Sequence, residues 1–151
     1  MAAVKKIDHV AIAVRSIDDS RKPFEELYGA RYLGQKENVE QEYIVAYFLM
    51  GESLITMLEG TTPESFVTKH IEQRGEGIQH VGVEVDDLDA FAAQLEAGGA
   101  RVSAKRELPG IRKEALISPR GAFGIIMQPI EWLGDLRNEP HHERIIKAGG
   151  L

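Results

Sequence analysis

Apolar and polar positions alternate over residues 5–14, where β-branched side chains dominate and Arg15-Ser16 close the run, so a strand is predicted there. In such a strand His9, Ala11 and Ala13 share one face, while Val10, Ile12 and Val14 take the other. The two alanines leave room beside the imidazole, as a cavity wall does, and small residues fit a crowded sheet equally. Helical spacing follows at about 19–28, with Asp18 or Asp19 as cap, Phe24 and Leu27 as the buried face and Gly29 as the stop. A short strand is expected at 30–34, a polar loop at 35–41, and a hairpin of strands 43–49 and 52–58 across Met50-Gly51. Thr61-Thr62-Pro63-Glu64 combine a capping threonine with a proline suited to a first helical turn, which predicts a helix at about 63–73.

The chain then repeats itself. Ile78-Gln79-His80-Val81-Gly82-Val83-Glu84-Val85-Asp86-Asp87-Leu88-Asp89 echoes Ile7-Asp8-His9-Val10-Ala11-Ile12-Ala13-Val14-Arg15-Ser16-Ile17-Asp18, and Gly99-Ala100-Arg101 echoes Gly29-Ala30-Arg31. A strand at 78–85, a helix at about 87–97 and strands at 100–105, 113–118 and 124–130 complete the second copy. The order β-α-β-β-β is thus written twice. The fold class expected is α+β, with two fused βαβββ modules forming an open, cup-shaped mixed sheet. The expected organisation is one domain over 5–132, with modules 5–59 and 78–131 joined by helix 63–73. The remainder, 133–151, is expected to be a helical tail, apolar enough to close the cup or to pack on a partner subunit.

Composition narrows the function. The 151 residues are 43% hydrophobic and 28% charged, with a net charge of -6, which argues against a nucleic-acid partner bound through phosphate neutralisation. An anionic substrate would need a local basic patch, for which Lys5, Lys6, Arg112 and Lys113 are available. Without cysteine there is neither a thiolate ligand nor a cysteine nucleophile. No signal-peptide pattern and no long apolar run is present, so a cytoplasmic protein with no membrane partner is expected.

Two histidines at equivalent places of a duplicated unit converge if the halves relate by a pseudo-twofold, and paired imidazoles make a corner for a metal. His70, His141 and His142 have no such counterpart and read as surface residues. The last strand of each copy should line the same hollow. There Thr56, among Leu54 and Leu58, and Gln128, among Ile126 and Ile130, are the polar residues in apolar runs, and a buried polar group needs a partner. Gln128 can offer its amide oxygen to a metal, and Thr56 a hydroxyl to water or substrate. Glu84 lies on the His80 face and is the first candidate for a catalytic base, ahead of Glu42 and Glu59.

These residues resemble the vicinal oxygen chelate superfamily (glyoxalase I, extradiol dioxygenases, fosfomycin- and bleomycin-resistance proteins) and, within it, the methylmalonyl-CoA epimerases. The resemblance covers about residues 6–132 and rests on Ile7 to Val14, Gly51-Glu52-Ser53, the run from Ile71 to His80, Ser118-Pro119-Arg120 and the strand 124–130. It implies a divalent metal (Co, Zn, Mn or Ni), with ligand places at His9, Thr56, His80 and Gln128. Epimerase-like members usually carry Glu or Gln at the Thr56 place and Glu at the Gln128 place, so this chain has no carboxylate among the four. Ser118 likewise stands where the epimerases commonly have a histidine. The activity implied is a metal-dependent isomerase, epimerase or lyase acting on an acyl-CoA or related carbonyl compound, in a homodimer. A non-catalytic small-molecule binding protein of the same fold is the alternative, and an iron dioxygenase a third.

Overall fold

In the computed structural model, which describes residues 1–149, the chain forms eight strands and four helices. They are β1 (Val4–Ala13), α1 (Ile17–Tyr28), β2 (Arg31–Asn38), β3 (Tyr43–Met50), β4 (Ser53–Gly60), α2 (Phe66–Arg74), β5 (Gly77–Val85), α3 (Leu88–Ala97), β6 (Val102–Leu108), β7 (Arg112–Ile117), β8 (Ile126–Trp132) and α4 (His141–Gly149). The mixed α+β class agrees with the sequence pattern. No described helix is long and apolar enough to cross a membrane.

The chain divides into two compact units. The first takes Met1–His9 together with His80–Pro140, so it holds the start of β1 and most of β5. Its strands are hydrogen-bonded in the order β1-β5-β8-β7-β6. Helix α3 covers one side through Leu88 and Phe91, which pack with Val85, Ala115, Ile117 and Ala122. Because β7 alternates, Lys113, Ala115 and Ile117 share one side while Arg112, Glu114 and Leu116 take the other. Pairing of Gly82 with Gln128 and of Glu114 with Ile130 puts His80, Gly82, Gln128, Glu114 and Arg112 on that second side.

The second unit takes Val10–Gln79 and the chain from His141. Its order is β2-β3-β4-β1, with β3 and β4 joined across Gly51-Glu52. Val14, Ile17, Ala46, Phe48 and Met57 form its core, with Phe24 set edge-on to Phe48. Ala11, Ala13, Leu58 and Val67 form a smaller cluster under α2.

Several boundaries differ from the sequence expectation, each for a local reason. The cap of α1 is Ser16, which accepts from the Asp19 N–H, while Asp18 and Asp19 sit in the first turn and favour its positive end. Helix α2 starts at Phe66 with Ser65 as cap, because the Thr62 carbonyl is taken by the Ser65 N–H and the Thr68 hydroxyl. Strand β2 runs on through the expected polar loop. Its exposed residues are held by pairing with β3 and bury too little to leave a hydrophobic signature. Gly29 closes α1 at φ 71°, a conformation open to glycine.

Each unit also carries the same carboxylate device. Glu59 on β4 accepts from the Ile17 N–H at 2.8 Å, and Glu131 on β8 accepts from the Leu88 N–H at 2.9 Å, each satisfying a first-turn donor of the following helix. Glu131 is the more deeply placed, so Glu131→Ala, which strands the Leu88 N–H, is expected to cost about 1–3 kcal/mol in urea unfolding, and Glu131→Gln less. Equal stability of Glu131→Ala and wild type would contradict this capping role.

Candidate functional site

The first unit brings together two of the imidazoles singled out by the repeat. His9 Nε2 and His80 Nε2 lie 3.0 Å apart, with the rings perpendicular and their centroids 5.1 Å apart. His9 is held there by small and acidic neighbours. Gly82 lies beneath its ring, so closely that a Cβ at that position would sit 2.5 Å from two ring atoms. Asp8, 2% exposed, places one carboxylate oxygen 2.7 Å from His9 Nδ1 and receives the Trp132 Nε1 proton on the other at 2.8 Å.

These partners assign the protons. A carboxylate only accepts, so His9 carries hydrogen on Nδ1, and in the neutral pair its Nε2 lone pair faces His80. The 3.0 Å contact is then a hydrogen bond donated by His80 Nε2–H. Burial pushes His80 down to about 3 from an ordinary 6.5, with His9 and the Arg112 guanidinium adding to the effect and Gln128 opposing it. His80 is therefore a neutral hydrogen-bond donor across the physiological range.

Beyond His80 the polar contacts continue. Gln128 Nε2 donates to Glu114 Oε2 at 3.3 Å, and the Gln128 amide faces His80, whose protonated form it favours. Glu114 is an ion-pair partner of Arg106 and, at 2.8 Å, of Arg112 Nε, whose angle is too poor for a hydrogen bond. Arg112 lies 5.4 Å over the Trp132 ring, which brings the circuit back to Asp8.

Of the expected site residues, His9, His80 and Gln128 meet in this circuit. Thr56 belongs to the second unit, buried on β4 opposite Tyr47. Glu84, proposed from sequence as a base, is buried with Lys5 Nζ at 3.6 Å and Lys6 Nζ at 3.8 Å, so two of the basic candidates are spent on it. Lys113 pairs with Asp89, leaving Arg112 as the basic candidate inside the circuit. Glu59 caps α1, and Glu42 gives its carbonyl to Thr61 N–H. Sequence reasoning missed Asp8, Glu114 and Trp132. A carboxylate beside a histidine in an apolar strand, and an acid two residues after an arginine on the same strand face, were the signals available.

Solved structures and relatives agree with this architecture, which is that of a vicinal oxygen chelate fold. The chain belongs to the Glyoxalase/Bleomycin resistance protein/Dioxygenase superfamily, whose family model matches residues 8–115. It is 30% identical over 138 residues to the uncharacterised protein YqjC of Bacillus subtilis (strain 168), covering 90% of this chain and 99% of that one. A hypothetical protein from Bacillus halodurans C-125 superposes with TM-score 0.78 at 28% identity, over 86% of this chain and 96% of its own. Methylmalonyl-CoA epimerase from Mycobacterium tuberculosis does so with TM-score 0.77 at 25% identity, over 90% and 93%.

The resemblance implies a divalent cation, and the donor set does not fit one. Two neutral imidazoles and an amide oxygen are present, but every nearby carboxylate is engaged: Asp8 by His9 and Trp132, Glu114 by two arginines, Glu84 by two lysines. Among the described residues no three His, Cys, Asp or Glu side chains are grouped to hold a metal ion. Arg112 adds positive charge beside the donors, which disfavours a second cation. The metal role expected for His9, His80 and Gln128 is therefore not carried into the mechanism.

The depressed His80 has a pH signature. Because its folded-state value lies below the unfolded one, the stability owed to the neutral ring is complete above about pH 6.5 and is lost as the pH falls toward 3. Between pH 7 and pH 5 wild type is expected to lose about 1–2 kcal/mol more than His80→Asn, measured by urea unfolding. Parallel losses in the two proteins would contradict a buried neutral His80.

Proposed function

We propose that this chain is an isomerase or lyase that moves a proton on the carbon next to a carbonyl, in an acyl-CoA or related compound, and does so with its paired imidazoles. The observation that carries this reading is the 3.0 Å Nε2–Nε2 contact with Asp8 behind it. One nitrogen is a donor and its neighbour an acceptor, about as far apart as a carbonyl oxygen and the hydrogen on the adjacent carbon. A substrate that parts them would take His80 Nε2–H on its carbonyl oxygen. His9 Nε2 would then remove the neighbouring proton. Negative charge develops on the oxygen as the proton leaves, and a fixed neutral N–H stabilises it without first giving up a charge of its own. Asp8 stabilises the imidazolium formed on His9 and keeps that ring in the right tautomer. The enolate is planar at that carbon, so reprotonation on its opposite face from water, with the His9 proton passing to water in turn, completes an epimerisation. Similarity to an epimerase of methylmalonyl-CoA supports the acyl-thioester class.

A second reading, a binding protein that only holds a carbonyl compound, is favoured by the engagement of all the nearby carboxylates. An iron dioxygenase is not supported, since no carboxylate joins the two imidazoles as a third ligand.

Deuterium incorporation from heavy water into methylmalonyl-CoA and propionyl-CoA separates these readings. Exchange is expected with wild type, to persist after prolonged chelator treatment, and to fall at least ~100-fold in His9→Asn and His80→Asn. Binding without exchange would establish the binding protein instead, and exchange abolished by chelator would overturn the metal-free reading.

A further inference from the structure

In the second unit the last helix of the chain lies on a face that the repeat matches to the Gln128 face of the first. There α1 occupies one side of the sheet, packing through Ile17 on Val14, Ala46, Phe48 and Met57. By alternation Leu54, Thr56 and Leu58 take the other side of β4, and Thr56 stands at the place of Gln128 in the repeat. Helix α2 reaches one end of that side, where Val67 meets Ala11, Ala13 and Leu58. Leu54 and Thr56 are buried as well, at 3% and 4% exposure, and a third helix, α4, packs against β4. The inward stripe of α4 follows helical spacing through His141, Arg144, Ile145 and Ala148. Arg144 and Ile145 on it are buried, while Ile146 and Lys147 face solvent.

The hold on this helix is slight. It has nine residues, and a helix of fewer than about 12 does not sustain itself in water. Tertiary contact must keep it in place, and among the described residues Ile145 is the one large aliphatic side chain that α4 buries. Arg144 adds little net hold, because the cost of taking a guanidinium out of water offsets much of what its contacts return. Helix α3, by comparison, buries Leu88, Phe91 and Ala92. We infer that α4 is a strap, seated over the Thr56 face of β4 and able to leave it while the rest of the fold stays intact. A ligand reaches the Thr56 hydroxyl only when the strap is open, so α4 sets when that face can bind. The inference stands apart from the imidazole chemistry, since access to Thr56 is measurable with neither ligand nor turnover.

The chain contains no cysteine, so a single introduced thiol can be read by its rate of alkylation with iodoacetamide. Thr56→Cys reports the face beneath α4, Ala46→Cys the core beneath α1, and Ser53→Cys an exposed point on β4. Thr56→Cys is expected to react at least ~10-fold more slowly than Ser53→Cys and to depend only weakly on urea, as a local opening does. Ala46→Cys should instead follow global unfolding, with a steep urea dependence. Adding Ile145→Asp should speed Thr56→Cys at least ~10-fold and leave Ala46→Cys unchanged, and Ile145→Ala should give a smaller acceleration. An equal rate in Thr56→Cys with and without the Ile145 changes would overturn the inference, since α4 would not then be the cover. Thr56→Cys reacting as fast as Ser53→Cys would overturn it as well. So would Thr56→Cys and Ala46→Cys opening together with one urea dependence, because α4 would then belong to a single cooperative fold. Urea dependence is read with α4 unaltered, so the test holds even where Ile145→Asp does not fold.

Discussion

The chemistry proposed for this protein depends on one short contact, between the Nε2 atoms of His9 and His80. Two imidazoles do not meet at 3.0 Å unless their protons are arranged to agree, and here the agreement is imposed from outside the pair. Asp8 decides where His9 keeps its hydrogen. Trp132, arriving from the far end of β8, fixes Asp8 in turn. Gly82 leaves the space in which the His9 ring lies, space that an alanine methyl would fill. A buried polar network of this kind is stable only if every member is satisfied, which makes its geometry narrow and its members interdependent.

Charge is distributed in an orderly way around that contact. The negative groups that might have served a cation are each engaged in place, Asp8 by hydrogen bonds with His9 and Trp132, Glu114 by two arginines and Glu84 by two lysines. What the pair offers a ligand that parts it is a neutral N–H and a lone pair, with the Gln128 amide and the Arg112 guanidinium beside His80. The N–H attracts a carbonyl oxygen, and the guanidinium beside the pair disfavours a metal ion. The fold is that of a superfamily in which the same position is expected to hold a cation. This chain brings His9 and His80 together and has uncharged side chains, Thr56 and Gln128, at the other two places that the resemblance marks.

Much of this was legible in the sequence, because duplication writes the architecture twice. His9 and His80, Ile17 and Leu88, Thr56 and Gln128 occupy matching places in the repeat, and the strands and helices around them fall close to their expected spans. Less legible was the support of the pair. Asp8 and Trp132 are 124 positions apart, and neither local periodicity nor the repeat couples them. Glu114 reads as one more charged residue in a strand until pairing with β8 turns it toward Gln128. Cap positions moved by a few residues because Ser16 and Ser65, rather than the neighbouring aspartates and threonines, met the free N–H groups. Strand β2 was missed in part, since an exposed strand is fixed by its ladder and leaves no alternation to read.

The proton positions can be read directly, by long-range proton–nitrogen correlation NMR of the imidazoles in uniformly nitrogen-labelled protein between pH 6 and 8. The account requires His80 neutral and protonated at Nε2 at every pH in that range, and the hydrogen of His9 that faces Asp8 to sit on Nδ1. A His80 ring carrying both protons at pH 6, or a His9 with its bare nitrogen turned to Asp8, would contradict it.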